Sequence, residues 1–211
     1  MLWKYAVCAL TMFVCLPFFM HYKRSLRYRL AAAFKTMGTL GAASMALTAA
    51  IRLDPRCWVC FAALMLHAIA DYLFEFSLFW GEGFFLAGHI CYIAFFTKLF
   101  PVSSVHLVAA VCLLAVVVFL FWRWRKHIGE RMLSFALYAF VLAVTCACAV
   151  GGLSVHTLQG QLIAAGGALF FISDALILGR LLFPSDRTVD WAVMILYYAA
   201  QLLFGISCLL I

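Results

Sequence analysis

The chain has 211 residues, 68% of them hydrophobic and 11% charged, with a mean hydropathy of +1.11 and a formal net charge of +7. No soluble domain of that length hides so much apolar surface, so the composition excludes a water-soluble fold and makes lipid the solvent. A backbone in hydrocarbon must satisfy its own hydrogen bonds, and apolar stretches without period-two alternation choose helices over a closed barrel.

Eight spans are predicted, over 2–20, 31–51, 57–78, 83–100, 104–122, 131–150, 160–182 and 190–210. The expected fold is all-α, a polytopic membrane bundle of eight transmembrane helices forming one integral-membrane domain over 1–211. The first span reads as a retained helix. Its basic cluster (Lys23, Arg24, Arg27, Arg29) follows the apolar segment, the reverse of a leader, and no small-residue cleavage site ends it. Span three opens on Cys57 and Cys60 of CWVC, where the absence of any thioredoxin-like context argues against redox chemistry. The nine cysteines otherwise read as small hydrophobes.

Lys and Arg in the loops set the orientation. One side collects Lys23, Arg24, Arg27, Arg29, Arg123, Arg125, Lys126, Arg131, Arg180 and Arg187; the other holds Lys4, Arg52, Arg56 and Lys98. The first side is expected in the cytoplasm, with both termini outside, in a bacterial cytoplasmic membrane. The positive charge is then a topology signal and a contact for anionic lipid, and no basic–aromatic motif points to nucleic acid.

Ionisable groups inside a membrane are costly, which makes their positions informative. HAIADYLFEF carries His67, Asp71 and Glu75 at four-residue spacing, on one helical face. At about 1.5 Å per residue, Asp71, His89, Asp174 and Tyr197 fall about 9–12 Å inside the cytoplasmic ends of their spans, and Lys35 about 6 Å. Five helices thus bring polar groups to one layer. His89 with Tyr92, and Tyr197 with Gln201, share faces; Gly167, seven residues before Asp174, leaves room for a neighbour or a ligand. Glu75 is expected near the headgroups, solvated or paired with a lysine. His67 alone reads equally well as a core histidine. His21, His106, His127 and His156 fall at span ends or in loops and are expected to be solvated. AIADYLF in span three and FISDALI in span seven suggest two parallel four-helix repeats, each supplying one aspartate. Hydrogen-bond glue between helices accounts equally well for Tyr92, Ser173 and Gln201, and Lys35 with Asp71 would also make a simple buried ion pair.

WGEGFFLAGHICYIAFF, and above all GGALFFISDALILGRLLF followed by LYYAAQLLFGIS, resembles the YhhN-like lysoplasmalogenase family across all eight spans. That resemblance implies functional positions at Lys35, Asp71, His89 with Tyr92, Asp174 with Ser173, and Tyr197 or Tyr198 with Gln201. The family's K-P reads Lys35-Thr36 here and its G-D reads Ala70-Asp71, so the reactive residue types are kept while the backbone beside them differs.

The activity implied is hydrolysis of the vinyl ether of lysoplasmalogens to a fatty aldehyde and a glycerophospho head group. The residues suit it independently. Enol ether cleavage needs a proton on the alkene carbon and a carboxylate to stabilise the resulting oxocarbenium ion or activate water, a logic shared with glycosidases. Asp71 and Asp174 are the expected acid/base pair. Lys35, His89, Tyr92, Ser173, Tyr197, Tyr198 and Gln201 are expected to bind substrate, with no cofactor and no metal. Lysophospholipid and membrane lipid are the expected partners. Two other classes fit the same residues: a proton-coupled transporter relaying protons through the aspartates, and a metal-assisted lipid hydrolase using His67, Asp71, His89 and Asp174, which lacks a tight ligand motif.

Overall fold

A computed structural model describes residues 2–184 and 186–210. Its helices are α1 (Trp3–Arg24), α2 (Tyr28–Arg52), α3 (Cys57–Phe74), α4 (Leu78–Leu99), α5 (Ser104–Ile128), α6 (Met132–Val150), α7 (Leu158–Leu182) and α8 (Arg187–Cys208). No strand occurs among the described residues. Seven helical stretches are long and apolar enough to cross a membrane. The fifth of these, Ser104–Val155, is 52 residues long and contains both α5 and α6, joined by the 3-10 turn Gly129–Arg131. Where eight spans were expected, seven apolar stretches are therefore seen, with expected spans five and six on α5 and α6, which pack against each other.

Local chemistry sets the ends. Ser77 caps α4 by accepting from the Trp80 amide, and Thr157 caps α7 by accepting from Gly160. Asp186 does the same for α8 through Arg187. Each satisfies an amide that the first helical turn leaves without a partner. In α1 the segment Thr11–Cys15 is π-helical. Pro17 follows it, and a proline that cannot donate to the preceding turn favours such a widening.

Several ends lie away from the expected positions. α3 stops at Phe74 rather than 78, while α2 begins at Tyr28, α4 at Leu78 and α8 at Arg187. Polar and basic residues in the first turns, such as Arg29 and Glu82, hid those turns from a hydropathy reading.

α2, α3, α4, α6, α7 and α8 close a ring by neighbour packing, with the contacts α4 to α6 and α8 to α2 sealing it. α1 packs on α2 and α5 on α6, outside the ring. Small residues make the seam around α2: Ala31, Ala32, Ala42, Ala43, Ala46 and Ala49 are all buried. In lipid such residues let backbones approach and gain dispersion contact. At the closest approach a Cβ on Gly205 of α8 would stand 2.6 Å from the Ala42 carbonyl oxygen. α5, in contrast, buries only His106 and Ile128. Leu107, Val108, Val111, Val118 and Phe119 are exposed along it, the composition of a lipid-facing helix.

Candidate active site

The polar residues singled out in the sequence meet inside the ring, in two groups. The first is built on Asp71, one turn before the end of α3 and fully buried. Its Oδ2 accepts hydrogen bonds from Thr39 Oγ1 at 2.5 Å and from Tyr197 Oη at 2.7 Å. Its Oδ1 faces Lys35 Nζ at 3.5 Å. Lys35 is itself almost wholly buried. The chain of donors continues outward: Gln201 Nε2 donates to Tyr197 Oη at 3.1 Å, and Tyr92 Oη donates to Gln201 Oε1 at 2.6 Å. Three side chains from α2 and α8 thus reach one carboxylate, and Gln201 and Tyr92 extend the network to α4.

The second group is built on Asp174 of α7. Tyr138 of α6 donates to its Oδ2 at 2.5 Å, and the same phenol lies 3.4 Å from His89 Nε2 of α4. Asp174 has no ion pair among the described residues. Phe170 joins the groups, its ring centroid 5.5 Å from Tyr197 and 4.8 Å from His89. His67 stacks on Tyr92 and meets His89 edge-on, each at 5.0 Å. Its Nδ1 is 2.8 Å from the Ala63 carbonyl. Three buried atoms in this layer, His67 Nε2, Asp71 Oδ1 and His89 Nδ1, make no hydrogen bond among the described residues. Unsatisfied buried polar atoms are expensive to keep and therefore informative.

An apolar cavity with about 770 Å³ of empty volume runs along this second group. Phe74, Phe85, Phe171 and Leu178 form its walls, and Glu82, Tyr138 and Asp174 supply polar atoms. Its apolar lining suits a hydrocarbon chain lying beside a carboxylate.

Not every named residue points there. Ser173 donates to the Val193 carbonyl at 3.0 Å and ties α7 to α8. Tyr198 donates to the Lys35 carbonyl at 3.0 Å and ties α8 to α2. Gly167 leaves room for a neighbour: a Cβ there would meet that of Ala149 on α6 at 2.5 Å. Glu75 pairs with Lys23 at 3.0 Å and lies 3.8 Å from Lys35. His106, expected to be solvated, is buried, and its Nδ1 caps the start of α5 with Ser103. All nine cysteines are free thiols, and Cys57 Sγ approaches the Cys208 carbonyl rather than Cys60. Among the described residues no three His, Cys, Asp or Glu side chains gather about a point that could hold a metal ion, so the four residues of the metal-assisted reading do not form a ligand set.

The sequence profile of the YhhN family matches residues 30–208. The chain belongs to the YhhN family. No curated protein and no solved structure matched it. The match takes in every helix of the ring and hence both carboxylate groups of this YhhN protein. Two residues in direct contact with those carboxylates escaped the sequence reading. Thr39 was legible in principle, one turn after Lys35 on the same face of α2. Tyr138 sits in FALYAF, on a face with Ser134 and Thr145, but nothing in the sequence ties that face to Asp174, and only the fold reveals the contact.

Proposed function

We propose that this YhhN-family protein is an intramembrane hydrolase that cleaves the vinyl ether of lysoplasmalogens, with Asp174 as general acid and Asp71 as the anionic partner. The observation that carries the reading is the placement of Asp174 on the wall of an apolar, chain-sized cavity, with Asp71 in an adjoining polar group. Asp71 faces Lys35 Nζ and accepts from two hydroxyls, the partners that an anionic carboxylate uses. Asp174 has a phenol donor on one oxygen and no ion pair, which leaves its other oxygen free to present a proton.

In the reaction, Asp174 gives its proton to the alkene carbon, and the ether oxygen and its neighbouring carbon become an oxocarbenium ion. Water adds to that carbon, passing a proton to a carboxylate. The hemiacetal then breaks its bond to the glycerol oxygen, its own hydroxyl proton moving to that oxygen. The products are a fatty aldehyde and the glycerophospho head group. The Asp71 charge stabilises the cation, and the apolar cavity holds the chain out of water.

The packing supports two further parts of the reading. Ser104–Val155 crosses the membrane twice, which gives eight spans. The ring maps onto itself when α2, α3 and α4 are exchanged with α6, α7 and α8, while α1 and α5 exchange outside it; this favours two four-helix repeats, with Asp71 and Asp174 at corresponding places. The end rich in Lys and Arg faces the cytoplasm of a bacterial inner membrane, and both termini lie outside.

The test is turnover of a lysoplasmalogen by purified protein in detergent, where transport has no meaning and an enzyme still releases aldehyde. Asp71→Asn and Asp174→Asn keep size and hydrogen bonding but carry neither an exchangeable acid proton nor charge. Each is expected to lose at least about 10²-fold in rate, the usual scale for removing a general acid or base. Near-wild-type turnover in either variant, with an unchanged melting curve, removes the two-aspartate mechanism.

A further inference from the structure

A second cavity opens at the basic end, with about 730 Å³ of empty volume. Lys23 and Arg24 of α1, Lys35 of α2 and Arg180 of α7 line it, against Asp190 of α8. Lys23 also pairs with Glu75, and Arg180 with Asp190 at 2.6 Å. Four cations from three helices therefore face three carboxylates, Glu75, Asp190 and, through Lys35, Asp71, which leaves the space electropositive by one charge, with Arg24 in no ion pair among the described residues. Lys and Arg at a membrane face commonly serve orientation alone. Lys35 does not fit that description: its side chain is only 9% exposed, and it lies within a helix that begins at Tyr28.

The two cavities share walls. Phe74 and Ile177 border both, and Lys35 Nζ sits 4.9 Å from the centre of the Phe74 ring. One amphiphile can thus place an anionic head among the cations and send its chain past Phe74 to Asp174. The head group that matches is a phosphate. It presents several oxygens to donors arriving from different directions, and Arg180 offers the planar fork that binds such oxygens in pairs. Apart from Lys35, the polar residues of the carboxylate layer, His89 and Tyr92 among them, do not line this space.

We propose that Lys23, Arg24, Lys35 and Arg180 form a phosphate-binding site for the head of the single-chain lipid, a proposal that rests on the lipid-hydrolase reading for its ligand but not for its measurement. The probes are a 1-O-alkyl glycerol phosphate and the matching 1-O-alkyl glycerol. Neither has a vinyl ether, so binding is read without hydrolysis. Wild-type protein in neutral detergent is expected to bind the phosphorylated lipid at least about tenfold more tightly. Arg180→Gln and Arg24→Gln are each expected to lower that affinity about tenfold, the scale of one hydrogen bond to a charged group. Arg180→Lys retains charge and is expected to recover part of the loss.

Equal affinity of the wild-type protein for the two lipids overturns the proposal and leaves the cations with orientation alone. So does an unaltered preference in both glutamine variants. Inorganic phosphate serves as a separate competitor. Weak displacement supports a lipid head as the ligand, and displacement as complete as that by the phosphorylated lipid overturns that assignment in favour of free phosphate. A preserved phosphate preference in a protein that releases no aldehyde would sink the hydrolase while leaving the site standing, so the two failures are distinct.

Discussion

Tyr138→Phe tests the second carboxylate group at a residue that sequence patterns did not point to. The substitution removes one oxygen and keeps the ring, which packs 5.7 Å from the His89 ring, so little volume is lost and the cavity wall stays. What disappears is the 2.5 Å donation to Asp174 Oδ2 and the contact with His89 Nε2. A hydrogen bond to a charged group contributes about 1.5–3 kcal/mol, equivalent to about 10- to 100-fold at about 1.4 kcal/mol per decade. If the phenol fixes Asp174 and shares the negative charge that develops as its proton leaves, the loss falls on kcat rather than KM. The assay is aldehyde release against substrate concentration, with a melting curve alongside. Adding Tyr138→Phe to Asp174→Asn gives the decisive comparison. A residue acting through Asp174 costs almost nothing once that carboxylate is gone, whereas an independent contribution adds in full. A single variant within a factor of about two of wild type in kcat would refute the reasoning, because a lost charge-assisted bond cannot be that small.

Thr39→Val removes the 2.5 Å donor to Asp71 without changing side-chain shape; turnover is expected to fall about tenfold, and unchanged kinetics would detach Thr39 from the chemistry. Gly205→Ala places a Cβ 2.6 Å from a backbone oxygen that cannot step aside easily, so a loss of about 1–3 kcal/mol is expected, read as a lower melting temperature in detergent. Chelator treatment followed by the aldehyde assay is expected to leave turnover intact; lost activity restored by added metal would return His67 and His89 to consideration as ligands. Fusions at the C-terminus of a reporter active only in the cytoplasm are expected to be silent, and an active fusion would reverse the proposed orientation.

The helical class and the apolar stretches were legible because lipid imposes a simple rule on composition, and the fold adds little to that. Depth along each helix was less legible. With α3 ending at Phe74, Asp71 is one turn from its end, and with α4 beginning at Leu78, His89 is about 16 Å from its own, at the usual rise per residue. The expected common depth was thus inaccurate helix by helix. Yet Lys35, Asp71 and Tyr197 do touch. Helix ends extend unequally past the apolar stretch, so distances counted from those ends mislead, whereas partner chemistry does not: a buried carboxylate must find donors wherever its helix stops. Side-chain spacing also fixes neighbours within a helix better than between helices. Tyr197 and Gln201, four apart and expected on one face, are also hydrogen-bonded to each other, but nothing in a linear reading places Tyr138 of α6 against Asp174 of α7.

The two aspartates are furnished differently, and that difference is what an acid-catalysed cleavage requires. Had both faced a lysine, both would be anions and neither could protonate an alkene. Had both sat in an apolar wall, nothing would stabilise the oxocarbenium ion. Lys35 stands beside only one of them, and the same lysine borders the cationic cavity at the basic end. It therefore couples the electrostatics of Asp71 to whatever anion fills that cavity. An anionic head group bound there would share Lys35 with Asp71 while the chain lies beside Asp174, so filling the cavity would act on the field at the reacting carbon. In such an arrangement binding energy from a part of the substrate remote from the bond broken is used at the reacting carbon, which raises turnover rather than affinity alone.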